Sequence, residues 1–161
     1  CVAMDKNICN SFSYASQLSE VDVNVETGEI KVNEVVLAAD VGVVLNPRSF
    51  EGQIEGGVIH SLGFALKEKY VPGETTTFKA LKVPGPRDMP EKIISIDASV
   101  PVTGGPFSAK GMGTLVVCPG VPATLNAIAN ATGIRVSDLP ATPDKVMKAL
   151  QKGTASKESS V

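Results

Sequence analysis

Cysteine is scarce in this chain and badly spaced for chemistry. Cys1, Cys9 and Cys118 are odd in number, scattered and without C-x-x-C spacing, so neither a disulfide framework nor an iron–sulfur or zinc site is encoded. They read as reduced filler or linker residues. An excess of one charge is lacking too. The formal charge is -2 with both signs mixed along the chain, which removes the basic field that phosphate backbones and anionic lipids require. No stretch approaches the roughly 20 apolar residues of a membrane span. The opening CVAMDKNICN has no basic region followed by an apolar run. These absences disfavour nucleic-acid and membrane partners and predict a cytoplasmic protein. The first residue is Cys instead of Met, which predicts processing or a piece of something longer. No internal repeat is visible.

What is present describes a globular, turn-rich domain. The 161 residues suit one domain, and a domain of this size buries roughly two thirds of the surface its unfolded chain exposes. The composition is 43% hydrophobic and 20% charged, with 15 Gly and 11 Pro. Alternation over Tyr14 to Val25 and Ile30 to Ala38, linked by Glu26-Thr27-Gly28-Glu29, predicts a β-hairpin. Asn46-Pro47 precludes a continuing strand and redirects the chain. Over SFEGQIEGGVIHSLGFALKEKY, residues Ile54, Val58, Ile59, Leu62, Ala65 and Leu66 recur at helical spacing. Gly52, Gly56, Gly57 and Gly63 sit in that helix, each costing about 1 kcal/mol relative to Ala. Another backbone or a ligand must therefore approach it closely.

Residues 71–91 hold four prolines and two glycines and predict a long ordered loop with a short strand near Phe78. IISIDASV, residues 93–100, predicts a third strand. VTGGPFSAKGMG, residues 102–113, packs four glycines into one loop, whose backbone amides are free to face a ligand. A helix is predicted from about Ala123 to Gly133 and another over Asp144 to Gln151, entered through Thr142-Pro143. Residues 152–161 read as a disordered tail.

Three blocks follow one another in order: DVGVVLNP with GQIEGGVIHSLGFAL; ALKVPGPRDMP; and GGPFSAKGMG with ATLNAIANATG and SDLPATPDKV. Together they resemble the C-terminal end of the molybdopterin-binding subunit of the molybdenum hydroxylase family, which includes xanthine dehydrogenases and aldehyde oxidases. The resemblance implies an α+β fold, half of a molybdopterin-binding domain spanning 1–151, with an antiparallel hairpin, a further strand, a glycine-rich helix and two C-terminal helices. It implies a molybdopterin cofactor shared with preceding domains or a partner subunit, and iron–sulfur and flavin subunits or domains as electron partners. Oxidation of an aldehyde or N-heterocycle is the implied activity.

Within this frame Gln53 and Gly52 are expected at the cofactor, because a carboxamide offers donors and an acceptor to a pterin edge and helix-start amides favour phosphate. Lys110, Gly111 and Gly113 are expected to present charge and amides to a cofactor oxygen. No residue of the chain is assigned as a metal ligand. The family carries its catalytic glutamate directly after the last glycine of this loop, and here that position is Thr114. A threonine hydroxyl stays neutral and cannot replace a carboxylate base, a contribution of typically 10² to 10⁴-fold. No acidic residue lies between Asp97 and Asp138 to take its place. Catalysis by this chain alone is therefore not expected. A non-catalytic structural or assembly module that keeps the fold and partner interface is the alternative, with a generic α+β binding domain a third. Glu55 is expected to be paired with Lys110 or Arg48, and His60 to be a hydrogen-bonded packing residue.

Overall fold

The computed structural model describes residues 11–103 and 106–158. Two strands open it: β1, Tyr14–Val23, and β2, Ile30–Asp40, paired antiparallel. The turn between them is set by Asn24, whose Oδ1 accepts the N–H groups of Glu26 and Thr27 at 2.9 and 3.2 Å. Gly28 completes it at φ +74°, buried against the Pro143 carbonyl, a conformation and approach that side chains disfavour. Register slips by one residue at Glu20/Val21, leaving Asn33 as the extra residue of a bulge. A third strand, β3, Lys92–Asp97, joins β2 in parallel and completes the order β1-β2-β3. It stops three residues before the expected Val100, because the Asp97 Oδ1 accepts the Ser99 N–H and Asp40 takes the Val100 N–H.

The crossover from β2 to β3 contains the glycine-rich helix α1, Pro47–Leu62. It starts before Phe50, since Asn46 caps it by accepting the Ser49 N–H and Pro47 holds the first helical position. The Asn-Pro pair is thus the helix start as well as the strand stop. Past Leu62 the helix widens into a π-turn, Gly63–Lys67, and the Ala65 carbonyl accepts the Ala141 N–H at 2.6 Å. Near Phe78 the chain forms a short helix, α2, Phe78–Leu81, instead of the expected strand. Thr77 caps it through the Ala80 N–H, and Lys82 ends it in the left-handed region at φ +64°.

Helix α3, Gly120–Thr132, begins three residues before Ala123 and ends at Gly133, φ +73°, as expected. Helix α4, Pro143–Glu158, passes Gln151 and runs into the stretch expected to be a disordered tail. No proline interrupts it, and Ala, Lys and Glu propagate a helix already anchored by its first turns. The segment Gly113–Thr132 is apolar and long enough by composition for a membrane span, contrary to the sequence expectation. It is broken into a 3-10 turn, Gly113–Val116, and the 13-residue α3, about 20 Å of helix against a hydrocarbon core of about 30 Å.

One face of the sheet is covered. Val32, Val35, Leu37, Ala39 and Val41 pack on Phe50, Ile54, Val58 and Leu62 of α1 and on Val116. Each fully buried aliphatic side chain here contributes roughly 1.5–3 kcal/mol. Helix α3 lies on β1, and Ile128, Ala141 and Val146 form a second, smaller cluster that ties in α4.

A candidate cofactor-facing surface

Two elements build the site. Helix α1 turns Phe50, Ile54, Gly57, Val58, Ser61 and Leu62 inward, which leaves Gly52, Gln53, Glu55, Gly56 and His60 exposed on the other side. Gly57 is the close-approach glycine: a Cβ there would collide with the Val116 side chain. The 3-10 turn Gly113–Val116 therefore lies directly on the helix. This contact brings Gln53 to the glycine loop, and its Nε2 donates to the Gly113 carbonyl at 3.1 Å. Gln53 belongs to the second turn of α1 and not to its start, so the helix-start amides expected beside it belong instead to the turn after Asn46.

The glycine loop is fastened along its length to the end of β2. The Val43 N–H donates to the Ser108 carbonyl at 2.9 Å, and the Lys110 N–H to the Val41 carbonyl at 2.8 Å. Gly42, φ +67°, has no room for a side chain against Ser108. Phe107 and Ser108 both sit at positive φ, 54° and 60°, conformations that non-glycine residues adopt at some cost. Ser13 Oγ donates to the Gly111 carbonyl at 2.7 Å.

Lys110 does not face outward. Its ammonium meets Asp40 Oδ2 at 2.6 Å, with side chains only 7% and 14% exposed, and lies 5.8 Å from the Tyr14 ring centroid. Asp40 is held down to about 2, first by the hydrogen bond from Lys110 and then by the N–H groups of Val100 and Gly42. The expected pairing of Lys110 with Glu55 is thus overturned. Glu55 is exposed, and no ion pair joins it to Lys110 or Arg48 among the described residues. His60 is exposed near the end of α1 and is not a packing residue. Asp40 and Ser13 are the site residues that sequence reasoning passed over, since no local signal links them to a loop 70 or 98 positions away.

Fastened in this way, the loop leaves a strip of backbone unspent. The N–H groups of Gly111, Met112, Gly113 and Thr114 donate no hydrogen bond among the described residues, and Gly111, Gly113 and Thr114 are exposed. Cβ atoms added at Gly52, Gly56, Gly111 or Gly113 would meet nothing within 4 Å. These glycines answer to no neighbour in the described chain, unlike Gly57. Thr114 stands at the head of the 3-10 turn, its carbonyl accepting the Val117 and Cys118 N–H groups. Two clefts, of ≈450 and ≈510 Å³, are lined by other residues. Among the described residues no His, Cys, Asp or Glu group is arranged to hold a metal ion.

Residues 3–90 match the molybdopterin cofactor-binding domain family. The chain belongs to that family. Its relatives are molybdenum hydroxylase-type oxidoreductases, and molybdopterin is the cofactor of the family. An aldehyde oxidoreductase of Megalodesulfovibrio gigas is 36% identical over 141 residues, covering 87% of this chain and 16% of the relative. The molybdenum-binding subunit of an Escherichia coli aldehyde oxidoreductase is 33% identical, covering 86% of this chain and 20% of that subunit. The solved aldehyde oxidoreductase from Desulfovibrio gigas superposes with a TM-score of 0.83 at 36% identity, over 86% of this chain and 15% of its own. The chain thus spans about a fifth or less of the relatives it matches.

Proposed function

We propose that the chain supplies one wall of a molybdopterin site in an oxidoreductase acting on an aldehyde or N-heterocycle, the other walls standing on polypeptide outside these residues. The observation that carries this reading is the strip of four amides at 111–114 that donate to none of the described residues, beside the Gln53 carboxamide. The donor set fits the group. Free N–H groups suit anionic oxygens. Gln53 spends one N–H on Gly113 and keeps its Oε1 and second N–H for the edge of a heterocycle. Gly52 and Gly56 leave α1 open to a flat ligand.

When bound, the cofactor supplies the two-electron oxidation of a substrate carbon. This chain's residues bind and orient. Gln53, Gly111 and Gly113 hold polar edges, while the buried Lys110 fixes the loop through Asp40 and adds no charge to the ligand side. Thr114 is exposed and neutral and accepts no proton, so the base stands at another position than 114 or the reaction needs none. Electrons leave through partner iron–sulfur and flavin subunits or domains. A reducing, cytoplasmic setting suits Cys118, which is exposed and not in a disulfide.

The neutral Thr114 also favours a second reading, a non-catalytic structural or assembly module that keeps the fold and partner interface. Purification from the native host with co-eluting proteins, followed by elemental analysis for molybdenum and fluorescence of released pterin, decides between them. Stoichiometric metal and pterin support the first reading. Absence of both, with the partner present, overturns it. In a loaded complex, Thr114→Glu is expected to raise aldehyde turnover by roughly 10² or more if the carboxylate is the only part missing. Unchanged turnover with full cofactor loading defeats that assignment.

A further inference from the structure

The sheet has a second face, and the described chain does not cover it. Cross-strand register places Leu18, Val36 and Ile94 in one row and Ser16, Ala38 and Ile96 in the next. Opposed residues share a face, and this is the one opposite the buried Val35, Leu37 and Ala39. Leu18 is 62% exposed and Ile96 44% exposed. A half-solvated sheet normally alternates apolar with polar residues. These strands instead carry apolar residues on both sides at their centre, the pattern of a sheet buried on two faces.

The rows have a polar boundary and a direction. Beyond Leu18 comes a charged row, Glu20 opposite Glu34, with Lys92 bound to Glu34 at 2.9 Å. At the other end Tyr14 pairs with Asp40, and both meet Lys110 of the glycine loop. An apolar centre with a polar rim is the anatomy of a protein interface. This one runs up to the free amide strip.

We propose that this outer face is the docking surface for the part of the molybdopterin-binding polypeptide that lies outside these residues. The proposal rests on the preceding functional reading. Two observations select this occupant. The relatives are about five or more times as long as the matched segment, so in each of them it is accompanied by further polypeptide. The face ends at Lys110, the residue that precedes the strip at 111–114, so one body seated on Leu18 and Ile96 borders the loop at which further cofactor walls stand. A second copy of this chain would bring a second Gln53 and a second amide strip, not the walls required.

The test uses the complex as purified, with Leu18→Lys/Ile96→Lys and, as control, Val25→Lys at a 60% exposed position in the turn. A lysine forced under a partner is expected to lower co-eluting partner and bound pterin more than tenfold, while circular dichroism and Val25→Lys stay at wild type. In the intact complex, hydroxyl-radical labelling should spare Leu18, Ile96 and Tyr14 and mark Val25. Full partner and pterin in the double variant, or labelling of Leu18 and Ile96 in the loaded complex, overturns the docking assignment alone. A wild-type preparation with neither pterin nor partner overturns the functional reading beneath it. A wild-type homodimer that the double variant converts to monomer assigns the face to a second copy and also overturns the proposal.

Discussion

Asp40 and Lys110 join the end of β2 to the glycine loop, and the consequences can be read at the level of single atoms. Asp40 has a folded pKa of about 2 against an ordinary 3.8. A lowered carboxylate pKa means that its contribution is full above 3.8 and is lost as the pH falls towards about 2. Asp40→Asn removes the partner of a buried ammonium, so its thermal midpoint should lie below wild type at neutral pH and converge with it towards pH 2. Hydrogen exchange at the bonded amides of Val43, Ala109 and Lys110 should rise in the variant while the middle of β2 stays protected. Equal midpoints across that range would count against the pair as the loop's anchor. Gln53 and Gly113 were each singled out in sequence because both sit in motifs, but their hydrogen bond was not foreseen. Nor was the Asp40 contact, because a pair 70 positions apart leaves no trace in spacing or periodicity. Glu55 misled for a related reason: next to Ile54 in sequence, it lies about 100° around the helix from it, outside the buried stripe.

In helix α1 the glycines divide into two kinds, and substitution should separate them. Gly57→Ala places a methyl group into Val116, with the Val116 carbonyl carbon only 3.1 Å away, and should destabilise by about 1–3 kcal/mol in a denaturant titration. Gly52→Ala meets nothing and should stabilise the chain by up to about 1 kcal/mol through helix propensity, while lowering the pterin carried by the complex. A Gly52→Ala chain that is stabilised and fully loaded would show that no ligand comes against that face. Sequence alone indicated that something approaches this helix. It could not say which glycine meets protein and which meets none, since that depends on where the 3-10 turn at 113–116 lands. The π-turn at Gly63–Lys67 was hidden for the same reason, as its helical periodicity continues unbroken and only the Ala141 contact marks the widening.

For the molecule as a whole, the class and order of elements were legible because hairpin, helix and cap signals are local. The parallel pairing of β2 with β3 and the apolar outer face were not, since they appear only once register is known. Register also has a consequence in time. Glu34 and Lys92 are neighbours across the sheet yet 58 positions apart, whereas β1 and β2 are joined by a turn that Asn24 organises locally. Hairpins close within microseconds, while distant pairings wait for the intervening chain to be ordered. Asn24→Ala is therefore expected to slow refolding, and Ile93→Ala chiefly to speed unfolding, as stopped-flow chevrons would reveal. The reverse assignment would place the crossover in the folding nucleus. On this order, the newborn chain carries a formed hairpin whose second edge, that of β2, stays open until β3 has paired with it. For that interval β2 is available to any passing strand, and β3 must be brought in promptly across α1 to keep the chain from pairing with its neighbours.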